Sequence, residues 1–261
     1  MANITAPLHY IDTQTNAPTV LLLHGLGSRS LDWQPQIDAL ARDYRIIAPD
    51  FPGHGNSQAL SQPVSMYELA ASVAALMQQL SITSVHIVGL SLGGMVAFQL
   101  AVSYPELVNT MVIINSAPGP GKLNALQLRM KILTRKALVK LFPLEKLAEK
   151  IALDLFPAPS QLNLQQQYLA SMEKVDKYTY QQLVNAISHF DLDKEIEQCQ
   201  TPTLVLSADQ DYTSVDFKQR FVKRMCNAHL TVIPNSRHAS PLDQPAVCNQ
   251  AICEFLQKAV T

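Results

Sequence analysis

Short continuous apolar runs alternate along the chain with longer segments in which apolar residues recur every three or four positions. The runs cover residues 19–23, 45–49 and 85–88, and the periodic segments between them cover residues 31–42 and 65–80. A continuous run of this length is typical of a strand that is buried on both faces, whereas the longer spacing is typical of an amphipathic helix. The alternation therefore predicts an α/β fold in which a mostly parallel central sheet is flanked by helices.

The alternation continues downstream with one interruption. The further predicted elements are a helix over 92–103, a strand over 110–115, a strand over 203–207, a helix over 214–225, a strand over 230–234 and a helix over 244–258. Between residues 118 and 190 the pattern indicates only helices, most clearly over 123–141, 144–155 and 163–173. We therefore predict a core made of residues 1–117 and 191–261, with residues 118–190 inserted as a helical cap. A cap at this place would lie at the carboxyl edge of the sheet, where the loops of α/β proteins surround ligand sites.

Composition and charge exclude several classes of protein. Of the 261 residues, 48% are hydrophobic and 16% are charged, so the chain can bury a large core. A formal net charge of -1 gives no overall attraction to nucleic acid or to anionic membranes. The sequence contains no run of about 18 apolar residues and no amino-terminal signal pattern. We therefore expect a cytoplasmic protein without a membrane span and without a nucleic-acid partner.

The strand predicted over 85–88 runs directly into Gly89-Leu90-Ser91-Leu92-Gly93, and a predicted helix follows. G-x-S-x-G between a strand and a helix is the pattern of a nucleophile elbow, a sharp turn that exposes a serine hydroxyl. Such a hydroxyl is a weak nucleophile and reacts only beside a base and groups that stabilise an oxyanion. Gly89 and Gly93 suit this turn because a Cβ at either position would meet the adjoining backbone. Ser91 is therefore the candidate nucleophile.

Four further segments accompany the elbow in a fixed order. The segments 23–27 (Leu-His-Gly-Leu-Gly) and 50–57 (Asp-Phe-Pro-Gly-His-Gly-Asn-Ser) precede it, and the segments 207–211 and 235–238 follow it. Together with the elbow they resemble the oxyanion loop, the D-x-x-G-x-G-x-S turn, the acid loop and the histidine loop of the α/β-hydrolase superfamily. The elbow itself is similar to those of its serine esterases and enol-lactone hydrolases. The resemblance covers nearly the whole chain outside the predicted cap and implies the α/β-hydrolase fold, with the cap inserted after the family's sixth strand.

The resemblance also implies a catalytic triad. His238 matches the family's loop histidine after the last strand, and Asp211 matches the acid of its G-x-x-D loop. Ala208 stands where the family usually has glycine, so the register of this loop is open by one step. Asp209 therefore remains the alternative acid, although a carboxylate in a turn also serves to cap backbone N–H groups.

The chemistry that the resemblance implies is acyl transfer. His238 would take the proton of Ser91 as Oγ attacks a carbonyl, and Asp211 would hold the imidazole tautomer and stabilise its cation. The oxyanion hole would consist of the backbone N–H groups of Leu26 and Leu92. No zinc-like spacing and no dinucleotide fingerprint occurs in the sequence, so we expect neither a metal nor a cofactor.

The leading functional hypothesis is hydrolysis of a small or medium acyl ester, or of a lactone, through an acyl-enzyme. Three alternatives remain open: a carrier-linked methyl ester esterase of the pimeloyl type, a carbon–carbon bond hydrolase with the same triad, and a non-catalytic ligand-binding member. Met95 follows the elbow where menaquinone-pathway synthases usually carry arginine, which disfavours that activity. A haloalkane dehalogenase would need aspartate in place of Ser91 and is excluded.

The predicted cap contains candidate contacts for a substrate and for a partner. Its first part carries six basic residues with no acidic residue among them: Lys122, Arg129, Lys131, Arg135, Lys136 and Lys140. Such a stretch is either a solvated helix face or a docking surface, which the carrier-linked hypothesis would assign to an acyl carrier protein. The candidate substrate contacts are Trp33, Phe51, Leu133 and Leu138, each of which would otherwise pack in the interior.

Overall fold

A seven-stranded sheet organises the structure, a computed structural model that describes residues 7–120, 130, 133–134 and 137–260. The strands are β1 (Tyr10–Asp12), β2 (Thr19–Leu23), β3 (Arg45–Pro49), β4 (Val85–Leu90), β5 (Val108–Ile114), β6 (Thr203–Ala208) and β7 (Ala228–Ile233). Their spatial order is β1-β3-β2-β4-β5-β6-β7. β1 pairs antiparallel with β3, and the other five pairings are parallel. The predicted mostly parallel sheet is confirmed, and the carboxyl ends of β2 to β7 meet at one edge.

Helices cover both faces of this sheet, as predicted. They are α1 (Gln34–Leu40), α2 (Met66–Gln79), α3 (Leu92–Ser103), α4 (Leu144–Leu155), α5 (Leu162–Met172), α6 (Lys177–His189), α7 (Val215–Val222), α8 (Ser240–Asp243) and α9 (Pro245–Val260). Side chains of β2 alternate between the two faces. Val20 and Leu22 join a core cluster with α1 and α9, whereas Leu21 and Leu23 join one with α2, α3 and α7.

Helices α4, α5 and α6 lie between β5 and β6 in the chain and form a third hydrophobic cluster. The strand before them, sixth in the family's count, is the fifth described strand here. Of the helix predicted over 123–141, residues 130, 133–134 and 137–141 are helical, and the rest lies outside the described residues, as do all the basic residues of that stretch except Lys140. Within the described chain, no helix is long and apolar enough to cross a bilayer.

A buried carboxylate connects α5 to the core. Asp32, in a 3₁₀ turn after β2, is 6% exposed and accepts hydrogen bonds from Ser171 Oγ at 2.9 Å and from Gln167 Nε2 at 3.1 Å. It also accepts hydrogen bonds from Ser28 Oγ at 2.7 Å and from the Arg29 N–H at 3.0 Å. Because the carboxylate is fully supplied with donors, its burial is compensated and it ties two separate parts of the chain together.

Two buried histidines connect the loops that follow β2 and β3. His24 donates from Nδ1 to Gly25 O at 2.8 Å and accepts the Phe51 N–H at Nε2 at 2.9 Å. His54 donates from Nδ1 to Pro52 O at 3.0 Å and accepts the Gly27 N–H at Nε2 at 3.1 Å. Each ring must stay neutral to make both bonds. Burial lowers the pKa of His24 to about 4 and that of His54 to about 3.

Removing the Asp32 carboxylate should loosen α5. We expect Asp32→Ala to lower the free energy of unfolding by about 2 kcal/mol, because charge-assisted hydrogen bonds are lost and donors are left buried. The amides of α5 should exchange with solvent faster, as measured by hydrogen–deuterium exchange. Asp38→Ala, at an exposed position of α1, is the matched control. Equal protection of α5 in the two variants would contradict this role.

Stability should fall as the pH is lowered from 6.5 to 5. The unfolded chain protonates histidine near pH 6.5, whereas folded His24 and His54 bind the proton only near pH 4 and 3. The unfolded state therefore binds more protons in this window, and the free energy of unfolding should drop by about 1.4 kcal/mol per pH unit for each ring. Urea denaturation measures the slope, which His54→Gln should reduce, with His229→Gln at an exposed position as the matched substitution. A flat wild-type profile would refute the prediction.

Candidate active site

Ser91 occupies a strained turn between β4 and α3. Its backbone lies at φ 53° and ψ −111°, a conformation that residues other than glycine rarely adopt. A Cβ built at Gly89 would lie 2.5 Å from Gly93 O, and one built at Gly93 would collide with Leu23 O. Ser116 Oγ donates to Ser91 O at 2.6 Å and secures the turn from β5. The sharp turn predicted from G-x-S-x-G is therefore present, and its two glycines are sterically required.

His238 lies on the loop after β7 and contacts a carboxylate on the loop after β6. Its Nδ1–H donates to Asp211 Oδ1 at 2.5 Å. The histidine side chain is 18% exposed, whereas that of Asp211 is 1% exposed. In the neutral ring, a proton on Nδ1 leaves the lone pair on Nε2, which is the tautomer that a general base needs.

The second oxygen of Asp211 is bound by a buried cation. Lys218 Nζ, on α7, lies 2.6 Å from Asp211 Oδ2, and Thr213 Oγ1 donates to the same oxygen at 3.0 Å. Burial raises the pKa of the Asp211 carboxyl, but the charges of His238 and Lys218 and their hydrogen bonds outweigh it and hold that pKa well below its usual range. The carboxylate is therefore ionised at neutral pH.

Asp209, the alternative acid, has a different set of partners. It accepts the backbone N–H groups of Asn235 at 2.9 Å and of Ser236 at 3.0 Å. These contacts hold the loop that carries His238 without reaching the imidazole. Of the two carboxylates, it is Asp211 that contacts the ring.

Asn115, which the sequence did not single out, joins three of the loops. It follows β5, and its Oδ1 accepts the Ala208 N–H at 2.8 Å. Its Nδ2 donates to His238 O at 2.9 Å and to Ser240 Oγ at 2.7 Å. A polar asparagine as the last residue of the apolar strand predicted over 110–115 was the available signal, but its partners are 93 to 125 residues away.

The two predicted oxyanion donors belong to segments that adjoin the serine. Leu92 is the first residue of α3, so its N–H has no acceptor within the helix. Leu26 lies on the loop after β2, which also places Gly25 against the serine, since a Cβ at Gly25 would be 3.6 Å from Ser91 Cβ. The positive end of the α3 dipole lies at Leu92, directly after the serine.

The three predicted triad residues and one of the predicted oxyanion residues line one cavity of about 640 Å³. Ser91, Asp211, His238 and Leu26 all line it, together with residues of α4, α5 and α6. Tyr212 also lines the cavity, and its ring centroid lies 4.5 Å from that of His238. The size is typical of a site for a small organic molecule. The described residues contain no group of three or more His, Cys, Asp or Glu side chains that could hold a metal ion.

Three of the four candidate substrate contacts lie elsewhere, which corrects the expectation for them. Trp33 is 2% exposed and packs in the core with α1, and Phe51 is fully buried in the core on the other face of the sheet. Leu133 is 52% exposed and is not among the described residues that line the cavity. Only Leu138 lines it, along with Met130 from the same segment. Trp33 and Phe51 follow β2 and β3 in the chain, but the interior removes more apolar surface from water than the cavity wall does.

Comparisons with known proteins give the chain's family. A model of the alpha/beta hydrolase fold matches residues 18–245. The chain is 30% identical to a putative carbamate hydrolase, RutD, of Pseudomonas syringae pv. syringae, over 92% of this chain and 94% of that one. It is 29% identical to a 2-hydroxy-6-oxononadienedioate/2-hydroxy-6-oxononatrienedioate hydrolase of Burkholderia vietnamiensis, over 96% of this chain and 91% of the other.

Solved structures give the same fold. The enol-lactonase of Burkholderia xenovorans superposes with a TM-score of 0.88 and 23% identity, covering 98% of this chain and 99% of that one. At this identity the likeness concerns the fold, whereas the family rests on the matched model and on the relative at 30% identity. The chain belongs to the α/β-hydrolase family and is a hydrolase.

Proposed function

We propose that the protein is a serine hydrolase that cleaves a carboxylic ester of small or medium acyl length, or a lactone, through an acyl-enzyme. One observation carries this proposal: His238 Nδ1 lies 2.5 Å from Asp211 Oδ1, in the cavity that also contains Ser91. A nucleophile, a base and an orienting carboxylate are the three parts that such chemistry needs.

In the proposed first half-reaction, Ser91 Oγ attacks the substrate carbonyl and His238 Nε2 takes the hydroxyl proton. Asp211 stays ionised and stabilises the imidazolium that forms. The tetrahedral intermediate then collapses, and the departing alkoxide receives the proton from His238. In the second half-reaction, water adds to the acyl-enzyme with His238 again as the base, and the carboxylic acid leaves.

The negative charge of each intermediate is proposed to lie between the N–H groups of Leu26 and Leu92. Donors of this kind, fixed before the reaction, typically contribute about 3 kcal/mol each to transition-state stabilisation. Because the backbone supplies them, exchange of either leucine for another apolar residue should leave most of the activity.

The helices between β5 and β6 are proposed to select the substrate. Residues 118–190 are the proposed cap, and its α4, α5 and α6 contribute Leu147, Ile151, Tyr168 and Val184 to the cavity wall. A largely apolar wall suits an acyl chain better than a strongly charged group. The run of basic residues before α4 supports an acyl carrier protein as a further proposed partner.

Carbamate hydrolysis is the second candidate. Several relatives that align with more than 90% of this chain are named putative carbamate hydrolases, at 26% to 30% identity. A carbamate has a carbonyl that the same serine would attack, but its resonance makes it less electrophilic than an ester. Relative rates on matched esters and carbamates therefore separate the two candidates.

Removal of the Ser91 hydroxyl should abolish turnover. We expect Ser91→Ala to lower kcat on p-nitrophenyl esters by about 10⁴-fold or more, because the covalent step is lost. Ser188→Ala, a second serine at the same cavity, should change kcat less than about threefold. Turnover of p-nitrophenyl esters with acyl chains of two to twelve carbons, and of a p-nitrophenyl carbamate, measures the preference for chain length and for ester over carbamate. Turnover that survives Ser91→Ala, or a carbamate cleaved faster than every ester, would overturn the ester proposal.

Substitution of Asp211 should lower kcat far more than substitution of Asp209. Asp211→Asn should reduce kcat by about 10⁴-fold, because the amide cannot hold the required imidazole tautomer. Asp209→Asn keeps an acceptor oxygen for the backbone and should cost less than about tenfold. Steady-state kinetics on the best ester, with circular dichroism to check folding, makes the comparison. A larger loss for Asp209→Asn would assign the acid to that residue instead.

A further inference from the structure

A lysine with no exposed side-chain surface lies behind the proposed triad. The side chain of Lys218, on α7, is 0% exposed, and its ammonium is surrounded by acceptors. Nζ donates to Asp211 Oδ2 at 2.6 Å, to Thr213 O at 3.0 Å and to Ser207 Oγ at 3.1 Å. Three donors thus meet three acceptors, which is the full capacity of an ammonium group.

The two oxygens of Asp211 are divided between two cations. Oδ1 faces His238 and Oδ2 faces Lys218, so neither oxygen can swing to the other partner without breaking a short charge-assisted bond. Thr213 Oγ1 adds a third contact at 3.0 Å, on the Lys218 side. The arrangement fixes the carboxylate plane with Oδ1 toward the imidazole.

The lysine also has an electrostatic effect on the histidine. A carboxylate that faces imidazole alone favours the imidazolium, whereas a second cation on the same carboxylate opposes it. Burial makes both interactions stronger than they would be in water. Burial lowers the pKa of Lys218, and the adjacent Asp211 charge acts against that change. Burying an ion pair such as Lys218–Asp211 contributes little to stability, because desolvation offsets the attraction. Its position beside the proposed triad therefore suggests a role in function.

We propose that Lys218 is a positioning residue that keeps Asp211 ionised and aimed at His238, and that its charge acts through Asp211 against a proton on the imidazole. This inference rests on the proposed serine-hydrolase function. Lys218 is not among the described residues that line the cavity, and it reaches the proposed triad through Asp211 and through Thr213, which itself bonds to Asp211. Its substitution should therefore affect the rate and the pH profile, with little effect on substrate binding.

Other titratable or charged groups share the cavity or the loop of His238, and substitution of Lys218 changes none of them chemically. Tyr212 faces the imidazole ring, Asp32, Lys150 and Asp154 line the cavity, Asp209 and Asp243 bond to the backbone of the His238 loop, and Arg237 is its neighbour in the chain. A change in the pH profile on removal of the lysine charge therefore reports on Lys218.

The test compares Lys218→Met, which removes charge and donors, with Lys218→Gln, which removes the charge and keeps an N–H donor. In both, the acid limb of the kcat/KM profile should move upward by about one pH unit. Lys218→Met should also lower kcat about tenfold or more, with KM changed less than twofold. Ser207→Ala, which deletes one acceptor and no charge, should leave the acid limb in place. An acid limb that stays fixed in both lysine variants would refute the proposal.

Two NMR measurements keep the test decisive if a variant folds poorly or if no ester is turned over. The imidazole titration of His238 in wild type and in Lys218→Gln should shift in the same direction as the acid limb, whatever the substrate. In the wild type, the Lys218 Nζ signal should be that of a protected ammonium throughout pH 6 to 8. A neutral amine at pH 7, or an unchanged His238 titration, would overturn the role of Lys218. Ester turnover that survives Ser91→Ala would instead overturn the serine-hydrolase function alone.

Discussion

The close approach of α3 to β2 is the constraint on which the site depends. Gly93 packs directly on the carbonyl of Leu23, and Gly89 lies against the backbone of Gly93, so neither position has room for a side chain. With these contacts fixed, the chain can turn from β4 into α3 only if Ser91 adopts φ 53°. A strained conformation of this kind persists only where its surroundings over-determine it. The strain places a hydroxyl at the cavity and the first helical N–H beside it.

The order of strands determines which loops meet this hydroxyl. β5 lies between β4, which leads to Ser91, and β6, which leads to Asp211, while β7 at the edge leads to His238. Asn115 at the end of β5 bridges the gap, because it bonds to the start of the acid loop and to the backbone of His238. Asp209 performs a similar task from the acid loop itself. The backbone of the His238 loop is thus held from β5 and from the acid loop, while Asp211 holds the imidazole ring itself.

Much of this arrangement could be predicted from the sequence, for reasons that differ between elements. β2 and β3 are buried on both faces and have unbroken apolar runs, so the predicted bounds match, and α3 matches because it begins at the elbow. α6 was not recognised individually, since its buried face includes Thr179 and its exposed face includes the aromatic Tyr178, although Asp176 caps it. Lys218 takes an inward position four residues before buried Val222, but its partners lie outside the helix, where periodicity carries no information.

The most direct test of the account is to trap the covalent intermediate. Rapid quenching of the enzyme with a slowly hydrolysed ester, followed by peptide mass spectrometry, asks which atom carries the acyl group. For a serine hydrolase we expect an acyl adduct on the peptide that contains Ser91, formed within the first turnover and lost at the rate of product release. An enzyme that turns the ester over without any adduct, or with the adduct on another residue, would contradict it.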